Sequence, residues 1–239
     1  MVMTLPVSVV IPARNEEEYI SAALASVGAQ TYPLDRIECV VVDNGSTDRT
    51  SEVARAFALE HPELRLSVAH EPEPSIGRAK NCGAQLAAGQ ILVFLDADSR
   101  MEPSLIADVV AHYDAGSPAG SIRIVADSAD PLERGFFALT EIGKVFFGIR
   151  AQMMYCERTF FLNLGGFRPD LRHAEDLEFL RRARKDVRRS DRGTICHIRG
   201  SAIATSPRRL QGGRFRRNLI VTFIRWLLAS MRIGRKWEY

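Results

Sequence analysis

Gln90-Ile91-Leu92-Val93-Phe94-Leu95-Asp96-Ala97-Asp98-Ser99-Arg100-Met101-Glu102-Pro103 is the stretch from which the fold is read. Ile91 to Leu95 runs without a polar residue, the pattern of a strand buried on both faces in a parallel or mixed α/β sheet. The run stops at two carboxylates one residue apart, Asp96 and Asp98. Pro103 then suits the first turn of a helix. The acids are expected at the carboxyl end of a central strand, the edge of an open α/β sheet where ligands bind. Two hard oxygen ligands there suit Mg2+ or Mn2+, and such an ion neutralises a diphosphate. The competing reading is a solvated turn with acids ahead of a helix N-terminus.

Working outward, the first hundred residues alternate strand and helix. Val7–Ile11 reads as a buried strand ending at Pro12, and Ala13-Arg14-Asn15-Glu16-Glu17 opens a helix that continues to about Ala29. Ile37–Val42 reads as a second buried strand ending in Asp43-Asn44-Gly45-Ser46-Thr47-Asp48. Asn44-Gly45 is turn chemistry, and Ser46, Thr47 or Asp48 can cap the next helix, expected to reach Glu60. Leu64–Ala69 is a third expected strand, and Gly77–Ala88 an expected helix with Gly89 as its C-cap. This alternation argues for a right-handed parallel α/β half of nucleotide-binding type. Beyond Pro103 the pattern loosens. Helices are expected over Ser104–Ala115, Pro131–Phe147 and Ala174–Lys185, and strands over Ser121–Ala126, Ala151–Cys156, Val187–Ser190 and Ile195–Ala204. Gly165-Gly166-Phe167 marks a tight backbone approach. The expected organisation is one catalytic-type domain over 1–205 and a basic amphipathic extension over 206–239.

The 239 residues suffice for one sizeable α/β core, and 26% charged with 46% hydrophobic residues is a globular composition. A net charge of +3 is too small to imply a polyanionic partner. Cys39, Cys82, Cys156 and Cys196 are scattered with no Cys-x-x-Cys pair, which fits free thiols in a reducing cytosol. No uncharged apolar run reaches the roughly 18 residues that span a bilayer, and no signal-peptide pattern opens the sequence. The expected location is cytoplasmic.

Four segments then converge on one family. Val9-Val10-Ile11-Pro12-Ala13-Arg14-Asn15-Glu16-Glu17, Val41-Val42-Asp43-Asn44-Gly45-Ser46-Thr47-Asp48, Gly77-Arg78-Ala79-Lys80-Asn81-Cys82-Gly83 and Phe94-Leu95-Asp96-Ala97-Asp98 resemble family 2 glycosyltransferases of the GT-A fold. Gly165-Gly166-Phe167 and the Glu175-Asp176 pair match in the same order, so the resemblance covers roughly residues 5 to 205. It implies a nucleotide-diphospho-sugar transferase fold, with a mixed central sheet flanked by helices.

The resemblance also implies roles. Asp43 accepts hydrogen bonds from a base N–H, while Pro12, Ala13, Arg14 and Glu16 surround base and ribose. Arg78 approaches the nucleotide; the bland alternative is a solvated arginine at a helix start. Asp96 and Ala97 lie at the ribose and Asp98 on an Mn2+ or Mg2+ ion, with Asp96 a second ligand and His197 a third. Asp176 is the base that takes the acceptor's proton, with Glu175 supporting it or binding the acceptor. Arg208 and Arg209 meet the diphosphate. Lys80 and Asn81 read as structural. The expected reaction is an inverting, metal-dependent transfer from a nucleotide-diphosphate donor, a UDP-sugar by default, to an acceptor hydroxyl or lipid phosphate. The alternative is a silent nucleotide-sugar-binding subunit with a regulatory or assembly role.

From Arg208 onward the chain carries a net +8, against −5 before it. Leu219-Ile220-Val221, Phe223-Ile224, Trp226-Leu227-Leu228 and Met231 form an apolar stripe flanked by arginines. Two readings stand level: an interfacial helix on the anionic inner face of a membrane, or a helix packed on the domain or a second subunit. Base-stacking aromatics are not interleaved with the charges, so no nucleic-acid partner is expected.

Overall fold

The computed structural model describes residues 4–146, 153–171 and 174–208. The apolar runs become strands β1 (Val7–Ala13), β2 (Ile37–Asp43), β3 (Arg65–His70) and β4 (Ile91–Phe94), parallel and ordered β3-β2-β1-β4. β5 (Ser99–Met101), β6 (Ala119–Ala126), β7 (Met154–Glu157) and β8 (Ile195–Thr205) complete an eight-stranded sheet, ordered β3-β2-β1-β4-β7-β6-β8-β5. β7 is antiparallel to both β4 and β6, β8 is parallel to β6, and β5 is antiparallel to β8. The expected mixed sheet is present. Its strand order reverses at β1, so a crevice opens outside the carboxyl ends of β1 and β4.

Among the described residues seven α-helices accompany these strands: α1 (Ile20–Gly28), α2 (Thr50–Glu60), α3 (Ile76–Leu86), α4 (Leu105–Asp114), α5 (Pro131–Phe146), α6 (Arg158–Asn163) and α7 (Glu175–Ser190). Side chains alternate along each strand, which divides the core in two. Val7, Val9 and Ile11 join Leu24 and Val27 of α1 and Leu105 and Val109 of α4. Val10, Leu92 and Phe94 join Ala84 of α3 and an aromatic group from the later half. In that group Phe94 lies 5.2 Å from Phe161 and 5.0 Å from Phe167, and these two lie 4.9 and 5.5 Å from Phe179 of α7. Rings at such spacings add specific contact to area burial, so α7 is fixed against the back of β4.

Two local expectations need correction, and one strand has no counterpart among the expected elements. Val187–Ser190 is not a strand but the last turn of α7. Leu180, Ala183 and Val187 continue one buried helical face, and the helix ends only at Asp191, in the left-handed conformation. Ser99–Met101 forms β5 by pairing with β8, where polar residues directly after an acid pair give no strand signal. Gly89 is not a C-cap, because α3 ends at Leu86 with Ala87 as its cap. Its role is close approach: a Cβ there would stand 2.4 Å from Ser8 Oγ and 2.6 Å from the Ser8 backbone nitrogen. The Gly89 N–H also donates to Ser8 Oγ at 2.8 Å and to Glu38 Oε1 at 3.1 Å. Among the described residues no helix is long and apolar enough to cross a membrane.

The contact at Gly89 involves backbone, which cannot swing aside. Gly89→Ala is expected to cost about 1–3 kcal/mol, read as a drop of roughly 2–12 °C in melting temperature for a chain of this size. An unchanged melting temperature would show that β1 can shift to make room.

Candidate active site at the carboxyl edge of the sheet

The loops leaving β1 and β2 are joined side by side. Ala13 and Asp43 are register partners at the strand ends, and Asn44 N–H donates to the Ala13 carbonyl at 2.8 Å. Asn15 sits at φ +56, a region that asparagine tolerates better than most residues. Its Oδ1 accepts from Thr47 N–H at 2.8 Å, and its own N–H donates to Ser46 Oγ at 3.1 Å. Glu16 N–H donates to Thr50 Oγ1 at 2.7 Å, and Glu17 N–H to Asp48 Oδ2 at 3.2 Å. Asp48 also accepts from Thr50 N–H at 3.0 Å, which tightens the turn into α2, but the cap position is Arg49 rather than Ser46, Thr47 or Asp48 as expected. Asp43 is buried, accepts from Ser46 N–H at 3.0 Å and lies 3.6 Å from His70 Nδ1. Pro12 and Ala13 line the same edge, half-buried and buried, with Arg14 exposed beside them.

Asn44 does more than turn the chain. Its amide donates to the Glu71 carbonyl at 3.0 Å and to the Glu73 carbonyl at 2.7 Å, and its Oδ1 accepts from Ser75 N–H at 2.8 Å. One buried side chain thus ties the loop after β2 to the loop entering α3. The sequence shows an Asn-Gly turn here but not the distant strand of chain it binds.

Beyond β4, Asp96 and Asp98 are half-buried and Ala97 is buried. Asp98 is held through its backbone, its carbonyl accepting from Ser206 N–H at 3.0 Å. Ser99 Oγ donates to Thr205 Oγ1 at 2.8 Å, so β5 and the end of β8 close over the acid pair. This brings in Arg208. Its Nε donates to Asp98 Oδ2 at 3.1 Å, its Nη2 reaches Glu16 Oε1, and its guanidinium lies 4.6 Å from the centre of the Tyr19 ring. Partial burial would lower the Arg208 pKa, but the hydrogen bond to Glu16 and the charge of Asp98 outweigh it and raise it. A cation therefore sits on Asp98, joining two residues the sequence assigned to donor binding.

The other acids stand at the start of α7. Glu175 and Asp176 are both buried, and Asp176 Oδ1 accepts from Leu177 N–H at 2.8 Å. Lys80 of α3 donates to Glu175 Oε1 at 2.7 Å, with only 8% and 7% of the two side chains exposed. Burial disfavours the ammonium, yet Glu175, Asp96 and Asp176 together raise its pKa above the ordinary lysine value. Lys80 is thus a fixed positive charge facing acids from both β4 and α7. Asn81 beside it donates to the Phe167 carbonyl at 2.8 Å and accepts from Phe167 N–H at 2.8 Å. Gly165 and Gly166 have φ +81 and +65, and a Cβ on Gly166 would stand 2.6 Å from Asn81 Oδ1. The tight approach expected at Gly165-Gly166-Phe167 is this contact.

His197 is placed elsewhere. Its Nδ1 is 2.9 Å from Ser121 Oγ and its Nε2 3.5 Å from Glu141. Ser121 is the register partner of His197, whereas the end of β8 at Thr205 pairs with Ala126. That separation along β6 is about 17 Å of strand. The imidazole and Asp98 are therefore not brought together, and the expected third-ligand role is corrected. Among the described residues no group of three His, Cys, Asp or Glu side chains is assembled for a metal. Arg78 is exposed and pairs with Glu73 at 2.9 Å. Arg209 and the tail beyond it lie outside the described residues.

The sequence pattern of Glycosyl transferase family 2 matches residues 8–162, more than half of the chain. The chain belongs to this family. The match contains Asp43, Lys80, Asp96 and Asp98 and ends before Glu175, Asp176 and Arg208. Glycosyltransferase AglE of Haloferax volcanii is 46% identical over 99 residues, 41% of this chain and 32% of that protein. Validoxylamine A glucosyltransferase of Streptomyces hygroscopicus subsp. jinggangensis is 34% identical over 128 residues, 52% of this chain and 29% of that protein. The matched parts are thus less than a third of these relatives. Mannosyltransferase PcManGT from Pyrobaculum calidifontis, solved with GDP-Man and Mn2+, superposes with TM-score 0.72 at 23% identity, over 98% of this chain and 66% of that one. Staphylococcus aureus TarS, solved with UDP-GlcNAc, gives TM-score 0.66 at 20% identity, over 95% and 67%. At these identities the likeness shows the fold, which is GT-A.

The staple at Asn44 can be measured by itself. Asn44→Ala removes three hydrogen bonds made by one buried side chain, for an expected loss of about 2–3 kcal/mol in urea unfolding. A loss below roughly 0.5 kcal/mol would mean that the two loops hold together without it.

Proposed function

We propose that this chain is an inverting, metal-dependent glycosyltransferase that moves a sugar from a nucleotide-diphosphate donor to an acceptor hydroxyl or lipid phosphate. The observation that carries the reading is the gathering of two acid groups about one crevice. Asp96 at the exit of β4 and Asp176 at the start of α7 both act on the Lys80 ammonium. Family membership and the GT-A fold give the site its context.

In this reading Asp43 receives the base, in the pocket formed with Pro12, Ala13 and Arg14, and Asp96 the ribose. The residues present fit a divalent ion. Asp98 offers a carboxylate that already holds a cationic group, Arg208. A site with few protein ligands leaves room for phosphate oxygens, which suits Mn2+ or Mg2+. Asp98, with Asp96 near it, would hold the ion, and the ion would supply Lewis-acid neutralisation of the diphosphate. Arg208, freed from Asp98, would meet the same phosphates. Asp176 takes the proton of the acceptor hydroxyl as its oxygen attacks the anomeric carbon. The bond to the donor phosphate breaks, and the nucleoside diphosphate leaves with the electron pair. A uridine donor is the proposed default. TarS is solved with UDP-GlcNAc and PcManGT with GDP-Man, so both bases belong in the test.

Calorimetric titration with UDP, GDP and dTDP, each with Mn2+ and with EDTA, tests the donor half. One nucleotide is expected to bind, and only with metal. Asp98→Asn is expected to weaken that binding at least tenfold; unchanged affinity in Mn2+ removes Asp98 from the metal site. Asp176→Asn is expected to keep nucleotide affinity and to lose roughly 100-fold or more in transfer, within the range of general-base contributions. Transfer at the wild-type rate would assign the base elsewhere.

The reading extends to the tail. Its apolar stripe and basic flanks suit an anionic lipid surface, where a lipid-linked acceptor is presented. Truncation after Gly213 is expected to abolish sedimentation with phosphatidylserine vesicles. A truncated protein that still sediments, or that changes from dimer to monomer instead, would assign the tail to packing.

A further inference from the structure

Lys80 carries a charge where folding alone asks for none. It lies on α3 among Ala79, Gly83 and Ala84, all buried against the sheet. An unbranched apolar side chain would fill that place without the cost of desolvating an ammonium, and buried ion pairs seldom raise stability over such a replacement. Its partner, Glu175, is the first residue of α7. Ala174, the residue before it, sits at φ +62, and no side chain caps α7. A left-handed alanine costs about 1–2 kcal/mol, so contacts from outside the segment must hold that turn. Two consecutive residues of α3 provide them. Lys80 binds Glu175 and lies 5.4 Å over the Phe167 ring, while Asn81 binds both backbone groups of Phe167.

We propose that Lys80 is a positioning residue for the transfer: its ammonium fixes Glu175, and with it the first turn of α7, so that Asp176 faces the acceptor hydroxyl beside the donor bound at Asp96. The ammonium need not touch either substrate. It acts by joining the wall that binds the donor to the helix that carries the base. Misplacing a reacting group by about 1 Å is enough to cost up to a hundredfold in rate.

This rests on the sugar-transfer reading, so wild-type protein is first assayed with the donor that calorimetry selects. Lys80→Met is expected to lower kcat roughly tenfold to a hundredfold while donor KM changes less than about threefold, and Lys80→Arg to restore part of the loss. Wild-type kcat in Lys80→Met overturns the proposal, as does a loss confined to KM. Because Lys80→Met takes the ammonium away from buried Glu175, Lys80→Met/Glu175→Gln is made alongside it, compared with Glu175→Gln alone. If Lys80→Met does not fold, a double variant with kcat below that of Glu175→Gln supports the proposal, and one equal to it overturns it. If the wild type transfers no sugar, the functional reading fails, and Lys80 is judged by hydrogen–deuterium exchange. Faster exchange in the first turns of α7, with β1 and β4 unchanged in the same folded variant, upholds the positioning contact; unchanged exchange there refutes it.

Discussion

Burial of β4 on both faces is the constraint on which the rest of this structure depends. Ile91, Leu92, Val93 and Leu95 are fully buried and Phe94 nearly so. A carboxylate inside that strand would be desolvated without a partner, at a cost of several kcal/mol, so charge can appear only where the chain leaves the sheet. β1, β2 and β4 are parallel, so their exits lie on one edge. Asp43, Glu16, Asp96 and Asp98 are collected there by the same rule that keeps them out of the core. The site is thus a consequence of sheet direction as much as of residue choice.

Collected acids repel one another, and two cations of different kinds offset this. Lys80 is enclosed in the wall, with 8% of its side chain exposed. Arg208 is about a quarter exposed, at 28% of its side chain, and belongs to the segment leaving β8. An enclosed pair is costly to break from one side, whereas a partly exposed one is screened and easily traded. The arrangement therefore separates a permanent charge, which belongs to the architecture, from an exchangeable one, which another cation on Asp98 could replace.

The sequence was legible where one physical signal dominated. Strands β1, β2 and β4 read directly from apolar runs, and the acids after them from their place at strand ends. It was less legible where tertiary pairing decides. Ser99–Met101 is a strand only because β8 lies beside it. Gly89 follows a helix as a cap would, but what selects it is the backbone of Ser8, far away in sequence. Val187 looked like a strand because Val is β-prone, yet its spacing from Leu180 and Ala183 continues a helix face, and that face won. His197 has a metal ligand's chemistry but the wrong height on β8, which no local pattern reveals. Lys80 looked structural for want of any sign of what it would meet. Its partner comes 95 residues later.

That long-range pairing also explains how two halves of different regularity act as one site. The first half builds a parallel sheet whose loops after β1 and β2 are tied by Asn15 and Asn44. The second half has antiparallel strands and a helix that starts at a left-handed Ala174. Phe94, Phe161, Phe167 and Phe179 bring α7 against β4, but aromatic packing is tolerant of small rotations. Directional bonds from α3 remove that freedom at the point nearest the acids. Non-directional burial thus fixes which surfaces meet, and the Lys80 and Asn81 contacts fix their register. An active site divided between two halves of a chain needs both.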